Sequence, residues 1–296
     1  MIPIPAVAVT RSQIADFVEL SKPRIVLMVL LTTMVGFYLG TAGPLDLALL
    51  CNTVIGTALA AAGALALNQF IERDLDARMD RTRRRPLPEG RIDPTAALGF
   101  GVLTTALGLV YLTLAANALA GFITAVIVVT YLFAYTPLKQ RTSLCSVVGA
   151  VPGALPPLAG FVAARGAASI EGWVLFAIMF LWQIPHSLAI ARLYRDDYAR
   201  AGMRLLPVID PDGASTGQQV VINSLALLAV GLIPTLIGLA GGVYFMAALT
   251  LGLGLLGYSV ALALWQRASD ARRLLFASLV YLPVLLIFMV FDKATV

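Results

Sequence analysis

Charge is scarce in this chain. Asp, Glu, Lys and Arg together make up 12% of its 296 residues, about half of the ~25% usual in soluble domains. So few charges cannot cover a water-exposed globular surface, and with 59% of residues in the set AVILMFWYC intrinsic disorder is excluded too. Cysteine is nearly absent: Cys51 and Cys145 lie in or beside apolar runs, with no Cys-x-x-Cys pair and no Cys/His cluster. Neither a disulfide framework nor a zinc site is supported, and both read as packing residues. Histidine occurs once, at His186. The first residues, MIPIPAVAVTRSQIADFVELSKPR, lack the basic end and cleavage site of a secretory signal and the Arg- and Ser-rich helix of an organelle import segment. A bacterial plasma (inner) membrane is therefore favoured.

What the chain does have is long apolar runs. Nine of them, roughly 24–40, 45–69, 94–114, 119–135, 143–164, 172–193, 217–240, 242–264 and 272–291, are long enough to cross a bilayer, which takes ~17–25 residues. No barrel-like alternation is present, and backbone groups in hydrocarbon must pair within their own segment, so the runs are helices. With the N-terminus inside, 19 of the 21 Lys and Arg residues fall on the cytoplasmic side and only Arg165 and Lys293 fall outside, in accord with the positive-inside rule. The reading is an all-α, polytopic membrane protein forming one domain over 1–296, N-terminus in and C-terminus out. The net charge of +5 belongs to this orientation and to an anion-facing surface; no nucleic-acid partner is expected.

The external connections at 115–118 and 241–244 are minimal, whereas the cytoplasmic loops near 70–93 and 194–216 are long and carry both charge signs. Chemistry is expected at that face. Asn68, Glu72, Asp76 and Asp80 recur every four residues along one helical stripe. Stacked like charges destabilise a helix, and Mg2+, which takes one or two carboxylates plus water and phosphate oxygens, would relieve them. Arg81, Arg83, Arg84 and Arg85 follow at once, suited to phosphate. A solvated helix end neutralised by Arg73 and Arg78 is the plainer alternative. In the second loop Asp196 and Asp197 are flanked by Arg195 and Arg200. Two acidic clusters facing one cavity can hold two Mg2+ ions and clamp a diphosphate.

Tyr135 and Lys139, at the inner end of the fourth run, and Lys22 and Arg24, at that of the first, can meet an anion or serve as interfacial anchors. His186 sits about 9 Å inside its helix at 1.5 Å per residue. It is either a functional group or a neutral imidazole bonded to a neighbouring helix, beside Pro185, which bends the chain. The Gly- and Pro-rich stretch 149–161 breaks its helix or lines a cavity, with plain packing as the alternative.

These residues resemble the UbiA superfamily of intramembrane prenyltransferases, most closely its protohaem IX farnesyltransferase branch. The resemblance covers nearly the whole chain. The Asn-x-x-x-Asp-x-x-x-Asp motif falls on Asn68, Glu72 and Asp76, continued by RDLDARMDRTRRRPLP at 73–88; SKPRIVLM at 21–28, YTPLKQRT at 135–142, WQIPH at 182–186 and YRDDYARAGMRLLPV at 194–208 also match. Glu72 stands where the superfamily commonly has Asp, and Ser187 where the branch often has an aromatic residue.

The resemblance implies a bundle around a central cavity open toward the cytoplasm. It also implies transfer of farnesyl from farnesyl diphosphate to a vinyl group of haem B, with water completing a hydroxyethylfarnesyl product. Asn68, Glu72, Asp76, Asp196 and Asp197 would hold Mg2+; Lys22, Arg24, Lys139, Arg83 and Arg195, with Tyr135, would bind the anion; His186 would contact the haem, a substrate here, as axial ligand or polar orienter. The lipid bilayer, and haem A synthase or oxidase assembly proteins, are the further partners it points to. Three rivals stay open: a related prenyltransferase with another aromatic or tetrapyrrole acceptor, a transporter of an anionic lipid or metabolite, and a noncatalytic oxidase assembly factor. WQIPH and RDLDARMDRT argue for haem, and acidic clusters confined to one face argue against transport.

Overall fold

A computed structural model describes residues 12–294; Arg11 and the chain start, read above as lacking a leader, lie outside the described residues. Among the described residues nine helical segments are long and apolar enough to cross a membrane. They are α2 (Pro23–Gly40), α3 (Leu47–Asp76), α4 (Pro94–Ala115), the continuous span Ala118–Leu138, α7 (Cys145–Arg165), α8 (Ile170–Leu193), α11 (Ala214–Leu236), α12 (Gly242–Trp265) and α13 (Ala268–Phe291). The span Ala118–Leu138 comprises α5 (Ala118–Val129), a π-helical turn (Thr130–Tyr135) and α6 (Thr136–Leu138). Each overlaps one of the nine apolar runs. Three short helices, α1 (Gln13–Leu20), α9 (Arg195–Arg200) and α10 (Leu206–Ile209), lie outside them.

Local chemistry sets the helix starts. Asp46, Asp93 and Asn117 each accept a backbone N–H of the following turn, from Leu49 at 2.9 Å, Thr95 at 2.8 Å and Ala120 at 2.8 Å, and Pro23 and Pro94 open α2 and α4. Large apolar side chains such as Leu103, Leu114, Phe122, Leu236 and Phe291 are exposed, as a lipid-facing surface requires. Cys51 belongs to that exposed surface, so of the two cysteines only Cys145 is a packing residue. At 30 residues, α3 is about 45 Å long at 1.5 Å per residue. It outreaches the ~30 Å hydrocarbon core, and its last turns carry Asn68, Glu72 and Asp76.

The Gly- and Pro-rich stretch does not break its helix. Residues 145–165 form one helix that contains Pro152, Pro156 and Pro157, and it packs backbone to backbone on α2. A Cβ on Gly36 would stand 1.9 Å from the Pro157 carbonyl oxygen, and one on Gly160 1.9 Å from that of Thr33. Interfaces between membrane helices favour such small residues because dispersion contact, not hydrophobic exclusion, drives association. With α2 seated there, α7 turns Gly149, Pro152, Gly153 and Pro156 to an internal cavity.

Helix α1 is docked rather than spanning. Its Leu20 is fully buried, Ile14 and Val18 are exposed, and the Phe17 and Phe100 rings lie 5.1 Å apart. Arg91 ties it to the 77–93 loop. Its guanidinium bonds Asp16, Glu19 at 3.2 Å, Glu89 at 2.8 Å and the Arg84 carbonyl at 2.9 Å, while Gln69 of α3 donates to the Leu20 carbonyl at 2.7 Å.

The glycine contact between α2 and α7 makes a clear prediction. Gly160→Ala should cost ~1–3 kcal/mol through overpacking and lower the thermal midpoint, whereas Gly257→Ala, whose added carbon meets nothing within 4 Å, should be neutral or slightly stabilising. Equal midpoints for the two variants in detergent would contradict the packing described.

Candidate active site

One cavity of about 480 Å³ opens at the end of the bundle where the 77–93 loop, Lys139 and α9 meet. Its wall joins α2, α3, the span Ala118–Leu138, α7 and α8. The mouth is polar and the body apolar.

The mouth is built on the last turns of α3. Asn68, Glu72 and Asp76 are all buried, and each meets a group from another element. Lys22 Nζ donates to Asn68 Oδ1 at 2.9 Å, and Asn68 Nδ2 donates to Thr136 Oγ1 at 3.2 Å. Lys139 Nζ lies 2.8 Å from Glu72 Oε1 and 3.1 Å from Oε2. Arg85 Nη1 reaches Asp76 Oδ2 at 2.6 Å, and Thr82 Oγ1 donates to the Asp76 carbonyl at 2.8 Å. Carboxylates withdrawn from water need such partners, since one left unpaired costs several kcal/mol.

Two backbone features aim these groups. Lys22 adopts the left-handed conformation, φ 50°, which costs a non-glycine residue roughly 1–2 kcal/mol, just before Pro23 starts α2; the side chain is thereby delivered to Asn68. In the fourth span Pro137 has no N–H and its ring crowds the preceding turn, and the helix widens to a π turn over Thr130–Tyr135. Thr136 N–H and Oγ1 both donate to the Tyr131 carbonyl, the hydroxyl at 2.8 Å. Tyr131 and Tyr135, with ring centroids 5.8 Å apart, then both face the cavity, with Lys139 Nζ 4.5 Å from the Tyr135 ring centroid.

Four cations, Lys22, Arg81, Arg85 and Lys139, line the cavity against two carboxylates, Glu72 and Asp76. The excess positive charge suits a polyphosphate. Burial, reinforced by repulsion from Arg85 and Lys139, lowers Lys22 to about 7. Lys139 is moved the other way: burial disfavours its ammonium, but Tyr135 and the Glu72 carboxylate outweigh that and hold it charged.

The other expected residues lie elsewhere. Arg24 is exposed on the first turn of α2. Arg83 is exposed and 3.5 Å from Asp80 Oδ1, because the chain after Asp76 turns repeatedly instead of continuing the helical stripe. Asp196 is exposed, and neither Arg195, Asp196 nor Asp197 lines the cavity. Asp197 bonds Arg200, which also reaches Asp80 Oδ2 at 2.7 Å, so this pair ties the two loops together. Tyr198 of the same short helix does line the cavity, and its hydroxyl accepts from Arg81 Nη2 at 2.9 Å. Arg81 lies 5.0 Å from the Tyr194 ring centroid. Arg81 and Arg85 belong to the four arginines read as suited to phosphate, but four arginines in five positions look alike until the turns separate them from Arg83; Tyr131 and Tyr198 carry no signal in the spacing.

His186 is on the α13 side of α8, off the cavity wall. Its ring stacks on Trp182 at 4.8 Å, and Nδ1 is 2.8 Å from Ser278 Oγ. The Ser278 hydroxyl donates to the Leu275 carbonyl at 2.7 Å, so it accepts from Nδ1–H and leaves the Nε2 lone pair available.

Among the described residues no three His, Cys, Asp or Glu side chains are gathered as a preformed metal cluster, since the second acidic pair stands outside the cavity. The α3 stripe nevertheless fits a hard divalent cation. Its donors are all oxygens, and buried Glu72 Oε1 touches the Lys139 ammonium without a directed hydrogen bond. One or two carboxylates completed by substrate oxygens is the ligand set Mg2+ prefers.

Comparison with known proteins agrees with this architecture. The model of the UbiA prenyltransferase family matches residues 29–280. A "Protoheme IX farnesyltransferase" of Solibacter usitatus is 46% identical over 94% of this chain and 98% of the relative, and one of Koribacter versatilis 40% identical over 99% and 96%. Among solved structures, a UbiA homologue from Archaeoglobus fulgidus bound to GPP and Mg2+ shares the fold with TM-score 0.65 and 16% identity, over 93% of this chain and 99% of that one. A digeranylgeranylglyceryl phosphate synthase structure reaches TM-score 0.78 at 14% identity, over 94% and 98%. With nine helices long and apolar enough to cross a membrane among the described residues and a family match over most of its length, this chain belongs to the UbiA prenyltransferase family.

Proposed function

We propose that the protein transfers the farnesyl group of farnesyl diphosphate to a vinyl group of protohaem IX in the bacterial plasma membrane, with the cavity mouth toward the cytoplasm. One observation carries the reading: a single cavity with a cationic mouth and an apolar body, matched to a substrate that is diphosphate at one end and hydrocarbon at the other. The 46% identity to a relative that bears this activity as its name supports the haem acceptor. A protein that takes up farnesylated haem, such as haem A synthase or an oxidase assembly protein, is the expected partner.

Lys22, Arg81, Arg85 and Lys139 receive the diphosphate and stabilise the charge that grows on it as the allylic carbon–oxygen bond lengthens. Asn68, Glu72 and Asp76 would hold Mg2+, which when bound adds positive charge beside the leaving oxygens. The Tyr131 and Tyr135 rings offer their π faces to the allylic cation, and Val29, Leu65 and Ile127 keep bulk water from it. Asp197, through Arg200 and Asp80, holds the two cytoplasmic loops together over the mouth. The haem vinyl group supplies the electron pair that ends the cation. His186, fixed by Ser278 with Nε2 available, contacts the haem from the α13 side of α8; tying one ring nitrogen to orient the other is how iron-binding imidazoles are held.

Three measurements test this reading. A reporter fused after Val296 should be active only outside the cytoplasm; cytoplasmic activity would remove the proposed orientation. Chelation should abolish turnover, and Asp76→Ala should lower it more than ~10²-fold because metal-borne charge stabilisation is worth several kcal/mol. Glu72→Asp, which keeps the charge, should be tolerated. Full activity of Asp76→Ala in excess chelator would exclude the metal-diphosphate site. His186→Ala should weaken haem binding, followed by absorbance, while leaving farnesyl diphosphate affinity by calorimetry nearly unchanged. Equal haem affinity in the two proteins would leave the imidazole only its contact with α13.

A further inference from the structure

Beyond its charged mouth the cavity has almost no polar side chain. Val29, Ala61, Ala64, Leu65 and Ile127 are wholly apolar, and the Ser187 hydroxyl already donates to the Ile184 carbonyl at 3.1 Å. Besides Ser146 and the Tyr131 hydroxyl, Gln183 is the exception. It lines the cavity nine residues before Arg192, about 13 Å into the helix at 1.5 Å per residue. Its Nε2 donates to the Met179 carbonyl at 3.1 Å, and among the described residues no group donates to Oε1. A polar side chain at this depth is expensive unless it is used.

The opposite wall is shaped around that oxygen. A Cβ on Gly153 would lie 2.0 Å from Gln183 Oε1, just as one on Gly149, a turn nearer the mouth, would lie 2.5 Å from the Tyr135 ring. Gln183 is thus placed about one helical pitch, ~5 Å, beyond the ring that faces the leaving group. The Gly153 carbonyl also lacks its usual helical donor, because residue 157 is proline. The missing side chain of Gly153 lets Oε1 seat against the α7 backbone, and an acceptor without a donor at the wall of an apolar cavity is a place to hold one water molecule.

We propose that Gln183 is a catalytic residue whose amide oxygen holds the water that captures the cation left on the haem side chain. The inference rests on the farnesyl-transfer reading above. The vinyl π pair forms the new carbon–carbon bond as the bond from farnesyl C1 to oxygen breaks, and diphosphate leaves with that electron pair. The cation on the carbon next to the pyrrole ring then takes a lone pair from the held water. The oxonium proton passes to the departing diphosphate or to solvent at the mouth. Without a held water, the same cation loses a proton from the neighbouring carbon and gives an alkene, lighter by one water.

The test reads the product, not the rate. Purified protein with farnesyl diphosphate, haem and Mg2+ is assayed by mass spectrometry for the ratio of hydroxylated to alkene product. In Gln183→Leu the ratio should fall about tenfold, the worth of one hydrogen bond to water, and Gln183→Glu, which keeps an acceptor oxygen, should restore it. Gly153→Ala puts a methyl group where the Gln183 amide oxygen now sits and displaces it, and should shift the ratio the same way; it decides the matter if Gln183→Leu does not accumulate. A wild-type ratio in either folded variant overturns the assignment. Failure of the wild-type protein to make either product would instead count against the farnesyl-transfer reading.

Discussion

Two carboxylates on the last turns of α3 are buried, and neither is paired within its own helix. Glu72 is met by Lys139 from the end of the fourth span and Asp76 by Arg85 from the following loop, while Asn68 beside them is met by Lys22 ahead of α2. Each contact therefore fixes the position of a different element relative to α3. The charges that would be most costly to leave alone in low dielectric are the ones that assemble the mouth. Binding an anionic substrate there means exchanging these internal partners for substrate oxygens, so the resting pairs act as stand-ins for the ligand.

Much of the fold was legible because hydrocarbon imposes a length on every span. The nine runs and the nine long helices among the described residues overlap throughout, and capping residues such as Asp93 and Asn117 mark where apolar segments begin. The site was legible in part. The four-residue spacing of Asn68, Glu72 and Asp76 is a helix property and survived, whereas extending it to Asp80 failed because the helix ends at Asp76. Past that point spacing carries no geometry, and only the folded turns separate Arg85, which points to Asp76, from Arg83, which does not. The π turn was equally hidden. Residues 130–135 read as ordinary helix, and only with the extra residue of the wider turn do both tyrosines face one cavity.

The second loop shows how composition can locate a region without assigning its parts. Asp196 and Asp197 are where an acidic cluster was expected, yet the side chain that reaches the cavity from this helix is Tyr198, which binds Arg81. Together with the Arg200 contacts to Asp80 and Asp197, this joins the two loops at the cavity mouth directly. The loops thus form one polar cap, held largely by exposed ion pairs that water and salt weaken, above helices held by close packing.

That difference has a mechanical consequence at α7. A cavity wall made of side chains can yield by changing rotamers, but the wall at Gly149, Pro152, Gly153 and Pro156 is mostly backbone and proline ring, and its rear is pressed against the carbonyls and glycines of α2. It has no rotamers to give. Any widening needed to admit a bulky planar acceptor must come from the loops at the mouth and from walls lined by side chains such as Val29, Leu65 and Ile127. The α7 face is thus the fixed reference against which the other walls of the cavity can adjust.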